Sequence, residues 1–426
     1  MSNDRNRAKR NFDYDVIVAG GGPAGSIAAT LLARYGHSVL LLERNRHPRY
    51  HIGESLLPNM TPIMDRLGMD WQEGNLRKQG AEFIDESTIG RVCFSFASQA
   101  PTFQVERARF DAGLFENAAR QGVDTHQNEA IVTVDCQADS VTATSSRASY
   151  RCRFFIDATG RGILMGRVKR SIQRLDNLGR FATYSCYGKV GSPAAARLFA
   201  TGIIQILLLD IGWLWIIPLT GRRLSIGLVV KTKRPHGVAK QELFQRSIEQ
   251  SATLTGLLEG AEPIFEHRID ADFSYINRKR HGLRYACCGD AAGFLDPVFS
   301  SGVFFAAKSA EMIADRLHPA LIEGREGDPN LHLPDDAVYA HGFQTMHRMI
   351  ERFYHSSLVH NLFFEADRDP RIKTEVTGLL AGDLWSENNF FQQSLLTGRR
   401  TSFRRQRTEK KRQKTAPGKQ ATSSKI

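Results

Sequence analysis

Residues 14–43, YDVIVAGGGPAGSIAATLLARYGHSVLLLE, set the reading of the whole chain. YDVIVA is a short apolar run of the kind that forms a buried strand. The turn Gly20-Gly21-Gly22-Pro23-Ala24-Gly25 follows, then a helical run to Tyr35 and a break at Gly36. A second strand over 38–42 ends at Glu43. Strand, G-x-G-x-x-G, helix, strand and an acid about 20 residues on form the dinucleotide-binding arrangement. Gly20 allows the tight turn, Gly22 lets backbone N–H groups approach a pyrophosphate, and Gly25 lets helix and strand pack closely. Glu43 can bind the adenosine ribose hydroxyls. A lone G-x-G-x-x-G is weak evidence, and the strand–helix–strand context makes it strong.

Around this stretch the chain is long enough, at 426 residues, for a sizeable core and about two or three structural units. The formal charge of +12 is concentrated at the ends. Residues 399–426 carry eleven Lys/Arg against Glu409 alone, and residues 1–10 carry four against Asp4. The body is close to neutral, so no body-wide nucleic-acid footprint follows, and both basic ends read as disordered. The polar start predicts no signal peptide. The longest apolar run, residues 203–219, is broken by Asp210 and Gly212 and reads as paired strands rather than a membrane span. Six cysteines (93, 136, 152, 186, 287 and 288) lack metal or redox spacing, which predicts free thiols, no metal site and a cytoplasmic setting.

A second organising stretch is residues 289–303, GDAAGFLDPVFSSGV. An apolar run, LRYACC, precedes it, and Val303, Phe304, Ala307, Ala310, Ile313, Ala314 and Leu317 follow at helical spacing. A strand therefore feeds a tight loop and a helix start, whose unpaired N–H groups suit an anion. Asp290 in the turn can accept a hydrogen bond from a sugar hydroxyl. An ordinary connection with Ser300 or Ser301 as N-cap fits the loop alone equally well.

Elsewhere the segment PRYHIGESLLP, residues 48–58, is an irregular loop that is either chemical or merely connecting. Helices are expected over 59–72, 114–121, 239–260 and 335–367. Strands are expected near 130–135, 141–145 and 151–156, through 180–233, and over 262–275. Asp157-Ala158-Thr159-Gly160 is a further strand-to-turn junction, and residues 324–334 read as a polar linker. Trp213 and Trp215 are in period two and share one strand face, which on spacing alone is a hydrophobic wall inside a sheet. Composition alone does not separate Lys78 from a solvated charge among 57 Lys/Arg residues.

Taken together these motifs resemble the flavin-dependent halogenases, within the flavoprotein aromatic hydroxylase superfamily, over roughly residues 13–395. The Gly20–Gly25 turn, the Asp157-Ala158-Thr159-Gly160 turn and the Gly289-Asp290 loop are common to the hydroxylases and imply FAD. Trp213-Leu214-Trp215-Ile216-Ile217-Pro218 matches the halogenase W-x-W-x-I-P signature. Phe294, Pro297, Ser300 and Gly302 match F-x-x-P-x-x-S-x-G. The segments PRYHIGESLLP and DPVFSSGV resemble the branch that halogenates phenolic or pyrrolic groups, often on carrier proteins. Phe299 stands where tryptophan halogenases carry a glutamate, which argues against free tryptophan and leaves the general base unidentified.

The resemblance implies an α/β fold. A discontinuous FAD-binding Rossmann-like domain (13–72, 104–165 and 280–330) would carry an inserted β-sheet substrate domain (73–103 and 166–279). A C-terminal helical segment (331–398) and disordered ends (1–12 and 399–426) would complete the chain. It implies cofactor contacts from Gly20, Gly22, Ala24, Gly25, Glu43, Arg107, Asp290 and Pro297. It implies halide held by Ser301 and Gly302, and catalytic roles for Lys78, Trp213, Trp215 and Ser301. Reduced FAD, oxygen and chloride or bromide would give hypohalous acid, relayed by Lys78 to an electron-rich aromatic substrate in secondary metabolism. The Trp pair would wall substrate from flavin. There is no second dinucleotide fingerprint, so a partner flavin reductase would supply reduced FAD, and an acyl or peptidyl carrier protein is a candidate substrate carrier. An FAD aromatic monooxygenase, a geranylgeranyl-reductase-like enzyme, or a non-catalytic flavin-fold binding protein remain the alternatives. Halide dependence and oxygen consumption separate them.

Overall fold

The computed structural model describes residues 12–88, 90–231, 237–271, 273–355, 369–386 and 388–397. The expectations for residues 1–11 and 399–426, and the part of the C-terminal helix at 356–367, lie outside them.

The first sheet grows from Tyr14–Ala19, paired in parallel with Val39–Glu43 on one side and Ser149–Asp157 on the other. Asp124–Gln127 and Tyr285–Cys287 extend it, also in parallel. The central strands are buried on both faces, which explains their nearly continuous apolar sequence. Helix Pro23–Arg34 leaves this sheet directly from Gly22, with proline in its first turn and no side-chain cap. It is buried from Pro23 to Leu32 and packs between helices Arg107–Arg120 and Gly302–Glu323. Gly20 takes φ +108°, and a Cβ there would sit 2.2 Å from the Ala158 carbonyl oxygen. A Cβ on Gly25 would lie 1.8 Å from the Gly20 oxygen, so the turn closes only with glycine at both places.

The second sheet runs in the order Glu262–Pro263, Arg180–Gly188, Arg223–Lys231, Gly212–Leu219, Ile204–Leu209, Gly80–Asp85, Gly90–Ser95. Its two faces enter different cores. Ala182, Tyr184, Trp213, Trp215, Ile217 and Val229 face the large core shared with the first sheet. Phe181, Leu214, Ile216, Leu224, Ile226, Leu228 and Val230 face a separate core closed by Phe244, Ile248, Leu254 and Leu257. Period-two alternation is therefore obeyed on both faces. Gly227 lies opposite Trp215, and a Cβ there would fall 2.1 Å from the indole, so the small residue makes room for the large one.

Several expected elements are shorter. The 59–72 helix is a turn at Pro58–Met60 and a helix at Thr61–Asp65. The Leu67 N–H folds back onto Met64, and Gly68 at φ +67° turns the chain away, while Met60, Ile63, Met64 and Leu67 stay buried. The 239–260 helix is two, Lys240–Glu249 and Ala252–Leu257, because Ser251 caps the second by accepting from Leu254 N–H. The 262–275 strand is divided into Glu262–Pro263, Arg268–Ala271 and Tyr275–Asn277. Conversely, the 114–121 helix begins earlier, at Arg107. The 335–367 helix starts at Leu333, and residues 324–332 connect it to Gly302–Glu323. All six cysteines are free, and no metal-binding cluster occurs among the described residues. No helix among them is long and apolar enough to cross a membrane.

Candidate active site

A cavity of about 680 Å³ lies between the two sheets. Gly20, Gly22, Ala24 and Glu43 from the glycine turn and its strand line it, together with Arg107, Asp290, Pro297, Ser301 and Gly302. Trp213, Trp215 and Ile217 form part of its wall on the second sheet. All eleven of the sequence-derived site residues other than Lys78 and Gly25 thus meet around one space. Gly25 instead packs the turn behind it.

The glycine turn fits a dinucleotide. At Gly22 a Cβ would meet nothing closer than Arg49 Nη2 at 3.9 Å, so the position is open to the cavity. The N-terminus of helix Pro23–Arg34 starts beside it, where free amides and the dipole suit phosphate. Glu43 ends its strand beside the turn and accepts from Gly21 N–H at 2.8 Å and from Asn45 N–H at 2.9 Å. Asp157, by contrast, is consumed by its own turn, accepting from Thr159 N–H, Thr159 Oγ1 and Met165 N–H.

Arg107 is almost fully buried and makes a two-pronged bond to Asp111, at 2.8 and 2.9 Å. Its third arm donates to the Ile52 carbonyl at 2.6 Å, which ties the cavity's helix to the segment at 49–55. All seven residues of that segment line the cavity, so the loop left open by sequence is part of the wall. Burial pushes His51 down to about 4 and keeps its imidazole neutral. Burial also pushes Asp290 up to about 6, opposed by Arg107 and Arg161.

The loop before helix Gly302–Glu323 is sharply shaped. Asp296 accepts from Val298 N–H and starts a single turn at Pro297–Phe299. Ser300 then takes φ +56°, and Ser301 occupies the N-cap position with its side chain making no cap bond. Ser301, Gly302 and Val303, at the start of this 22-residue helix where the first amides lack helical partners, line the cavity. Phe299 is buried against Phe83 and Phe353, with ring centroids 6.5 and 5.6 Å away.

The two indoles lie side by side, with centroids 6.0 Å apart. Trp215 Nε1 donates to Ser225 Oγ at 3.2 Å, and Trp213 Nε1 donates to the Tyr354 hydroxyl at 2.6 Å. Lys78 is not on the cavity wall. It is 3% exposed, on strand Leu76–Lys78, with Nζ donating to the Leu56 carbonyl at 3.0 Å and lying 5.2 Å from the Phe96 ring centroid. Burial alone pushes its pKa from 10.5 down to about 7.

Sequence reasoning missed Glu129, Ala130 and Ile131, which line the cavity, and also Tyr354, which accepts from Trp213, and Arg180, which stacks on Tyr354. Asp296 was legible only as a neighbour of Pro297. Tyr354 sits beside Phe353, a buried residue at helical spacing from Met346 and Ile350.

Two family models match the chain. FAD dependent oxidoreductase covers residues 15–172, and tryptophan halogenase covers residues 94–395. The 1H-pyrrole-2-carbonyl-(peptidyl-carrier protein) chlorinase of Pseudomonas fluorescens is 26% identical over 88% of this chain and 90% of that protein. The tryptophan 2-halogenase of Chondromyces crocatus is 34% identical over 70% of this chain, which spans only 60% of that longer relative. The solved structure of the flavin-dependent brominase Bmp2 superposes with a TM-score of 0.80 at 26% identity, covering 94% of this chain and all of that one. With a Rossmann-like turn, a second sheet bearing the Trp pair and a helix-start loop around one cavity, the chain belongs to the tryptophan halogenase family of flavin-dependent enzymes.

Proposed function

We propose that this protein halogenates an electron-rich phenolic or pyrrolic aromatic, using reduced FAD, oxygen and chloride or bromide. The supporting observation is the single cavity that reaches from the glycine turn past Ser301 and Gly302 to Trp213 and Trp215. Gly20, Gly22, Ala24, Glu43, Arg107, Asp290 and Pro297 would hold FAD, with Gly25 packing the turn behind it, and bound reduced FAD would supply electrons for oxygen activation. In the overall balance, reduced FAD, oxygen, halide and a proton give FAD, hypohalous acid and water. A partner flavin reductase would renew the reduced cofactor.

The chain's own residues handle the anion, the barrier and the transfer. Backbone N–H groups of Ser301 and Gly302 at the helix start would hold halide. Trp213 and Trp215 would keep substrate and bulk water from the flavin. Near neutral pH, a Lys78 amine with a pKa about 7 is unprotonated in about half of the molecules, and its lone pair can take halogen from hypohalous acid, the displaced hydroxide leaving as water with one amine proton. Transfer to the arene then leaves the nitrogen one proton short, and the proton released by the arene restores the amine. Phe299 offers no carboxylate at the position where a glutamate serves tryptophan substrates, which favours a phenol or pyrrole. The carrier-bound substrate of the chlorinase relative makes a pyrrolyl carrier protein the first one to try.

Lys78→Ala tests this. It should bind flavin and consume oxygen while product by mass spectrometry falls at least about a hundredfold, the scale for losing a covalent relay. Lys78→Arg should fail too, because guanidinium keeps its proton. Wild-type product yield in Lys78→Ala would overturn the relay.

A further inference from the structure

Three distant segments meet at one tyrosine. Tyr354 lies on the last turn of helix Leu333–His355, Trp213 on the wall strand and Asp296 at the head of the halide loop. Trp213 Nε1 can only donate, so the Tyr354 oxygen accepts from it, at 2.6 Å. The tyrosine hydrogen is then free for Asp296 Oδ2, at 2.8 Å. The other oxygen of Asp296 accepts from Val298 N–H at 3.1 Å, inside the turn that delivers Ser300 and Ser301. Each polar atom in the chain indole–hydroxyl–carboxylate therefore has one assigned direction.

The ring is held as firmly as the hydroxyl. The Arg180 guanidinium stacks over it at 4.1 Å from the centroid, and Phe353 meets it edge-on at 5.2 Å. Trp213 and Asp296 are 2% and 1% exposed, so neither can turn to water if the tyrosine oxygen is lost.

Resting on the halogenase reading above, we propose that Tyr354 is a positioning residue for halogen transfer, its hydroxyl locking the Trp213 indole to the halide loop through Asp296. The wall and the loop are then one rigid unit across the cavity. Both indoles line that cavity, so an indole freed from its tether opens the barrier between oxidant and solvent. The strand pairing of Trp213 and the bond from Val298 N–H to Asp296 do not involve the hydroxyl, so Tyr354→Phe should still fold.

The measurement is halogenated product per oxygen consumed, alongside oxidant trapped by a sulfide scavenger in solution. Wild-type protein must first give product with pyrrole or phenol substrates; if it does not, the halogenase reading fails, whatever the tether does. Given product, Tyr354→Phe should keep flavin content and oxygen uptake within about twofold, while product per oxygen falls about tenfold and trapped oxidant rises to match. A merely structural role would lower flavin content, oxygen uptake and product together and leave the ratio unchanged, and that result overturns the proposal. Asp296→Asn has a single oxygen for the two donors that Asp296 serves, the Tyr354 hydroxyl and Val298 N–H, and should lower product per oxygen too; combined with Tyr354→Phe it should add little, and additive losses overturn a shared tether. Should Tyr354→Phe bind no flavin, exchange of the Trp213 indole N–H in flavin-free protein decides. Protection in wild type and its loss in Tyr354→Phe support the tether; equal protection in both refutes it.

Discussion

Lys78→Met separates the amine's chemistry from its cost to the fold. The ammonium form would have to sit in a site that is 3% exposed, with the Leu56 carbonyl as its hydrogen-bond acceptor and the Phe96 ring as its neighbour. Burial lowers the pKa from 10.5 to about 7. At about 1.4 kcal/mol per pKa unit this is about 5 kcal/mol. Below pH 7 both folded and unfolded chains hold the proton, and the folded state carries the full cost. As pH rises from 7 toward 10.5 only the unfolded chain still holds it, so wild-type stability climbs through that window. Methionine has no proton to lose, but it leaves the Leu56 carbonyl without a donor, about 1–3 kcal/mol at every pH. The variant should therefore be more stable than wild type by about 2–4 kcal/mol at pH 6 and less stable by about 1–3 kcal/mol above pH 10. Denaturant unfolding of both proteins across this range at fixed ionic strength reads the difference, in which titrations common to both cancel. A difference that does not change with pH would refute the desolvated amine and with it the neutral nucleophile.

The other expectations follow from single contacts. Gly22 has backbone angles of φ −79° and ψ −173° and open space where a Cβ would sit, so Gly22→Val should fold normally yet lose most bound flavin, read by thermal midpoint and absorbance. Full flavin loading in folded Gly22→Val would contradict the phosphate cradle. Gly227→Ala drives a Cβ to within 2.1 Å of the Trp215 indole and should cost about 1–3 kcal/mol on unfolding, with a shift in tryptophan fluorescence. An unchanged midpoint would mean the indole has room it does not show. Asp111→Ala strands the buried Arg107 guanidinium and should cost about 3–5 kcal/mol, more than Arg107 and Asp111 replaced together by apolar residues. The reverse ranking would remove the unpaired charge as the cause.

The cofactor end was legible because its logic is local. Gly20, Gly22, Gly25 and Glu43 lie within one strand–helix–strand unit, where each residue's task follows from the turn it occupies. The wall was legible as a pattern, since Trp213 and Trp215 alternate with Leu214 and Ile216, and the two sets enter different cores. Lys78 stands out by resemblance alone; its surroundings include Leu56 and Phe96, which no composition or spacing around residue 78 announces. Tyr354 was invisible for a similar reason: its partners are 58 and 141 residues away, and nothing in a helical stripe marks one tyrosine as a junction. The shortened helices have a different cause. Met60, Ile63, Met64 and Leu67 are buried at helical spacing, but the left-handed Gly68 and the cap at Ser251, which are backbone events, set where the helices stop.

A sheet whose faces enter separate cores can drift on one face while the other keeps it folded. New substrates could be accommodated by exchanging Ala182, Tyr184 or Ile217 beside the indoles, with the apolar ladder of Leu214, Ile216, Ile226 and Leu228 left as the reserve of stability. Directed evolution of this enzyme has a natural division of labour: mutational libraries belong on the first set, and compensating substitutions that raise the melting point belong around Phe244 and Ile248 on the second. Lineages of such enzymes would be expected to diverge fastest in side chains two residues apart, with their immediate neighbours in sequence nearly still.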